Sequence, residues 1–247
     1  MALEAMLVLV YRNSNETLVK TMESADIYLE IGQKKVIAVA VEWPGWCRIS
    51  KEEGLAVQAL LDYAPRYAKI PQTAGLSFQI PESVSAVNVV DRLEGNATTD
   101  FGAPDKPLPH DWDPIGNQEL QRIELLLDAC WITFDEAVKN GTGKELRKGP
   151  RGGGRELAQI IDHVVGAEES YLKTLGWTLK AVKDETIDQR KARVRTEVLR
   201  GLEAAAGGQL PREGPRGGKR WSPRFFVRRL AWHVVDHTWE IEDRIIN

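Results

Sequence analysis

Four stretches of about 20 residues, each with apolar side chains recurring every three to four positions, fill the chain from Asn117 to its end. The first covers about 117–138 and sets Ile123, Leu127, Cys130 and Phe134 in one stripe. The second begins near Arg155 and ends at Gly176, a residue suited to a left-handed helix stop. The third covers Ile187 to Ala206, ahead of Gly207-Gly208. The fourth opens at Ser222-Pro223, a serine for the N-cap and a proline for the first turn. Helices with one apolar face must bury that face against a neighbour. This half of the chain therefore predicts an all-α four-helix bundle, whose interior is a usual place for metal ligands.

The N-terminal part follows a different rule. Residues 3–12 form an apolar run of strand length, without the basic leader or small-residue cleavage site of a signal peptide. Ile27, Leu29 and Ile31 alternate with polar neighbours, Gly32-Gln33-Lys34-Lys35 reads as a turn, and Val36–Trp43 is a second β-rich run. Together they predict a hairpin, ended by Pro44-Gly45. Residues 51–69 switch to helical spacing, with Leu55, Ala59, Leu60, Tyr63 and Tyr67 on one side, and short strands are expected near 76–80 and 86–93. Beyond Gly95, Pro104, Pro107, Pro109 and Pro114 punctuate a segment poor in aliphatic residues, expected as a linker or a long surface crossing. The predicted organisation is thus a small α+β domain over 1–95, a Pro-rich linker over 96–117 and the helical bundle over 118–247.

The sequence has four histidines, and two of them, His233 and His237, stand four apart in the fourth helical stretch. That spacing puts both imidazoles on one helix face, one turn apart. His163 sits in the second stretch, eight residues after Arg155, and His233 lies ten after Pro223. Both are then roughly 12–15 Å from their helix starts. Mid-helix positions meet at one level whether the helices run parallel or antiparallel. Three imidazoles on one divalent ion leave a coordination position for water or substrate, as catalytic metal sites do. Gly166, Ala167 and Ser170 leave room on the His163 face. Asp236 and Glu240 flank the histidine stripe, where either can orient a ring or act as general base. His110, beside Asp111 in the Pro-rich segment, reads as a solvated loop histidine.

The stretches Asp162-His163-Val164-Val165-Gly166-Ala167-Glu168 and Arg228-Arg229-Leu230-Ala231-Trp232-His233-Val234-Val235-Asp236-His237 resemble the DinB-like (damage-inducible, YfiT-type) family of metal-binding four-helix bundles. The resemblance covers about 118–247. It implies that His163, His233 and His237 bind a divalent metal, zinc or nickel. It also implies thiol-dependent transferase or isomerase chemistry, a homodimer, and an unusual crossover between the second and third helices, for which Trp177–Thr186 is long enough. Near the N-terminus, Val41-Glu42-Trp43-Pro44-Gly45-Trp46-Cys47 before an Ala- and Leu-rich helix is similar to the HicB-like antitoxin fold. Trp46 intervenes here, and the usual Gly-Asp step is missing at Ile49-Ser50. That likeness implies a binding or assembly module.

Two near-copies, Gly149-Pro150-Arg151-Gly152-Gly153-Gly154-Arg155 and Gly214-Pro215-Arg216-Gly217-Gly218-Lys219-Arg220, precede the histidine-bearing helices. Two readings stand: anion grips built on Arg151 and Arg216, or plain flexible interhelix loops, the second being the simpler. The run from Arg212 to Arg229 holds seven basic residues and one acid, but aromatics do not interleave in a stacking pattern, which argues against nucleic acid. A net charge of −3 gives no global field toward it either. No apolar run has the length of a membrane span. Cys47 and Cys130, the only cysteines, read as two free thiols of a cytoplasmic protein, Cys130 as buried filler. Trp131, Phe134, Trp232 and Trp239 read as core. The expectation is a divalent-metal protein, acting on a small molecule as a metal-dependent transferase or hydrolase. The alternative is a non-enzymatic interaction protein whose metal only staples the helices.

Overall fold

The structure is a computed structural model that describes residues 25–148 and 154–246. The expected strand at 3–12 and Arg151 lie outside the described residues. Two layers of different character emerge: a four-stranded mixed sheet with its helices, then four long helices.

The sheet contains β1 (Ala25–Ile31), β2 (Val36–Ala40), β3 (Cys47–Ser50) and β4 (Val87–Glu94), in the order β3-β2-β1-β4. β1 and β2 form the expected antiparallel hairpin, closed by the Gly32 N–H donating to the Lys35 carbonyl at 2.9 Å. β2 also pairs antiparallel with β3, and β4 pairs parallel with β1. Strand alternation sorts the side chains to two faces. Ile27, Leu29, Val36, Ala38 and Ala40 join a core with α1 (Glu53–Asp62) that continues into the long helices. Tyr28, Ile37, Val39 and Cys47 pack on the other face with Ala103, Leu108 and Trp232.

Several local expectations need correction. β2 stops at Ala40, because the Ala40 N–H bonds the Trp46 carbonyl across a tight turn through Gly45, whose φ is +94°. A side chain at Gly45 would meet Val235 and Ala231 of the last helix, so the turn docks closely there. Residues 51–69 are not one helix. α1 is followed by α2 (Ala64–Tyr67) and α3 (Lys69–Thr73), with a proline in the first turn of α2. The buried stripe is Ala56, Val57, Leu60, Leu61, Ala64 and Tyr67, one position round from the expected one, and Leu55 is 54% exposed. Residues 76–80 form no strand; Phe78 instead packs edge-on against Trp43, Trp46 and Tyr67.

The Pro-rich segment carries α4 (Ala97–Phe101) and a 3-10 turn at Pro109–Trp112. It straps the sheet to the helices. The buried Glu30 carboxylate of β1 accepts the N–H groups of Asp105 and Lys106, each at 2.9 Å. Asp111, fully buried, accepts from the Leu108 N–H and pairs with Arg228.

The long helices are α5 (Asn117–Gly141), α6 (Leu157–Leu175), α7 (Ile187–Ala206) and α8 (Pro223–Arg244). Gly176 stops α6 at φ +104° as the sequence suggested. Ser222 opens α8, but its buried hydroxyl makes no cap bond; Pro223 alone fixes the entry. α8 is the central helix. It packs against α5 and α6, and its residues from Phe225 to Ile241 are mostly buried. No helix of the described residues is long and apolar enough to cross a membrane.

Candidate metal centre

His163 comes from mid-α6, and His233 and His237 come from successive turns of α8. Their ring centroids lie 5.0, 4.9 and 4.6 Å apart pairwise, a near-equilateral triangle. One nitrogen from each ring lies within 4.8 Å of the others. His163 Nε2 and His233 Nε2 face each other at 3.2 Å. Two nitrogens bound to one tetrahedral zinc at 2.0–2.1 Å would sit about 3.3 Å apart. The spacing therefore fits an ion between the rings.

The electrostatics favour the same reading. Burial pushes the His233 imidazole well below its ordinary range, with the neighbouring His237 and His163 adding to the effect. Burial, then His237, also lowers His163. Both rings are then neutral near pH 7, with a lone pair for a metal. The third ring is oriented by a carboxylate. Glu240 Oε2 lies 2.6 Å from His237 Nδ1, and Oε1 accepts from Arg244 at 2.6 Å. A carboxylate only accepts, so the His237 proton sits on Nδ1 and Nε2 is left for the cluster. The bond from His237, followed by its charge and by Arg244, holds the Glu240 carboxyl below the usual range despite partial burial. His233 is 7% and His237 9% exposed, while His163 is more open.

The remaining sequence candidates go elsewhere. Asp236 reaches across to Arg48 of β3 at 3.4 Å and bonds none of the histidines. That arginine lies over the Tyr63 and Trp239 rings, at 3.6 and 4.2 Å. Arg216 is exposed and makes no hydrogen bond or ion pair with a described residue. His110 is exposed in the 3-10 turn, apart from the triad. Cys130 is fully buried and burial pushes its thiol up to about 12, which leaves no thiolate.

Two neighbours escaped the sequence reading. Tyr171 of α6 packs edge-on against His233 with centroids 5.7 Å apart. Arg229 lies over the rings of Tyr171 and Trp232, at 5.6 and 4.8 Å. Arg229 stands four before His233 on one helix face, a spacing visible in the sequence.

Comparison of the chain with curated proteins and with solved structures gave no match. The family comparison does match, over residues 126–241, a span that contains all three clustered histidines and most of the four long helices. The family matched over that span is the DinB superfamily.

Proposed function

We propose that this protein is a metalloenzyme in which His163, His233 and His237 hold one divalent ion, zinc or nickel, with a coordination position left for a small-molecule substrate. When bound, such an ion acts as a Lewis acid and lowers the pKa of a coordinated thiol or water toward neutrality. The reading is a metal-dependent transferase or hydrolase, thiol-dependent in the transferase form. The observation that carries it is the convergence of three imidazole rings from two helices. In this reading the four long helices form a bundle around the site, and two copies pair. The N-terminal sheet serves as a binding or assembly module. Glu240 fixes the His237 tautomer and has both oxygens engaged, which suits an orienting role better than that of a general base. Asp236, tied to Arg48, fixes α8 against the sheet.

Metal uptake tests this. The protein loaded with zinc or nickel and then dialysed should keep about one ion per chain, and His233→Ala and His237→Ala should keep none. Glu240→Gln should weaken uptake about 10–100-fold, the usual cost of losing an orienting carboxylate. Retained folding after metal removal supports an open, catalytic site, and a screen of thiols across metals then follows. Melting on metal removal would favour the alternative, an interaction protein stapled by its ion. No retained zinc or nickel would refute both.

A further inference from the structure

We infer that a carboxylate-bearing ligand is held beside the histidines by Arg229, Trp232 and the Nδ1 edge of His233. This deepens the metal reading, which supplies the reactive end of the same site. Arg229, Trp232 and His233 stand at i, i+3 and i+4 on α8. They share one side of the helix. Arg229 Nε, Trp232 Nε1 and His233 Nδ1 are all buried, and none has a hydrogen-bond partner among the described residues. His233 turns Nε2 toward His163, and with that nitrogen given to the metal of the proposed site its proton sits on Nδ1. The three groups are therefore donors lacking an acceptor, a state that a native interior rarely tolerates.

They are also neighbours. Arg229 lies 4.8 Å over the Trp232 ring and 5.6 Å over Tyr171. His233 closes the circuit, 5.7 Å from Tyr171 and 6.0 Å from Trp232, centroid to centroid. The missing acceptor is an anion because Arg229 has no carboxylate partner among the described residues. It donates a hydrogen bond to the Pro104 carbonyl at 2.6 Å. The acids of α8 and α6 nearest the histidines are engaged elsewhere: Glu240 by His237 and Arg244, Asp236 by Arg48, Asp162 by Arg190. A carboxylate accepts several donors at once and cannot donate, which suits unpartnered N–H groups beside a guanidinium.

The test follows the Trp232 indole N–H by NMR, its resonance identified as the one missing from Trp232→Phe. Titration with sodium acetate should move that resonance saturably, and sodium chloride at the same ionic strength should not. Arg229→Gln should weaken the acetate response tenfold or more. Arg229→Lys, which keeps the charge but loses Nε, should fall between, and serves if the glutamine variant does not fold. Absence of a saturable shift overturns the inference. So does a response unchanged in both arginine variants, which would mark an adventitious additive only. Zinc uptake is measured on the same samples. Zinc uptake without an acetate response overturns this inference alone. An acetate response without zinc uptake upholds it and overturns the metal reading.

Discussion

Replacing Asp111 with alanine is expected to destabilise the protein by about 3–5 kcal/mol, the usual cost of stranding a buried charge. Asp111 is fully buried and Arg228 is 3% exposed. The Asp111 carboxylate takes both the Arg228 guanidinium and the Leu108 N–H at 2.7 Å. Without it, Arg228 keeps Tyr28, whose ring centroid lies 5.4 Å from its Cζ. The pair joins three parts of the chain: the strap, α8 and the sheet face carrying Tyr28. Loss of it should therefore lower one cooperative transition on the order of 10 °C. The double variant Asp111→Leu/Arg228→Met should recover much of the loss, because a matched apolar pair avoids the charge desolvation. Urea or thermal unfolding reads both. A loss under about 1 kcal/mol for Asp111→Ala would show the pair to be solvated.

Glu168→Gln should raise stability at pH 8 by up to about 3 kcal/mol and leave it nearly unchanged at pH 4. Glu168 is 1% exposed in the helical core. Its Oε1 accepts from the Trp131 indole at 2.7 Å, and Oε2 has no partner among the described residues. Burial pushes this carboxyl up from 4.5 to about 7, against the opposing pull of Arg195 and Trp131. The folded state therefore holds its proton to about pH 7, while the unfolded chain releases it near 4.5. Between those values the unfolded state loses the proton first, so stability falls as pH rises, then levels off above about 7. Glutamine abolishes that slope and can still accept from Trp131. Unfolding free energies from pH 3.5 to 8.5 check the sign. A wild-type curve without that slope would contradict it.

How much of this was legible in the sequence depends on the range of the interaction. The ends of α7 follow from local signals, and so does the Gly176 stop of α6, because caps and glycine stops act within one turn. The histidine triad was equally legible, since the spacing of His233 and His237 is a property of one helix and His163 sits at matching height. The α1 stripe was misjudged because the sequence offers two adjacent apolar faces, and only the sheet decides that Leu55 turns outward while Ala56 turns in. Leu76 to Ile80 alternates like a strand, yet Phe78 answers to an aromatic cluster and finds no ladder. The partners of Asp111 and Asp236 lie 117 and 188 residues away along the chain, beyond any local pattern. That distance is why the ion pair of Asp236 with Arg48 lay beyond the sequence reading.

X-ray absorption at the zinc edge of the loaded protein tests the central claim most directly. The expected first shell is three imidazole nitrogens at about 2.0–2.1 Å with one further light atom, falling to fewer imidazoles in His163→Ala. Zinc bound without imidazole scattering, or a shell unchanged in His163→Ala, would contradict it.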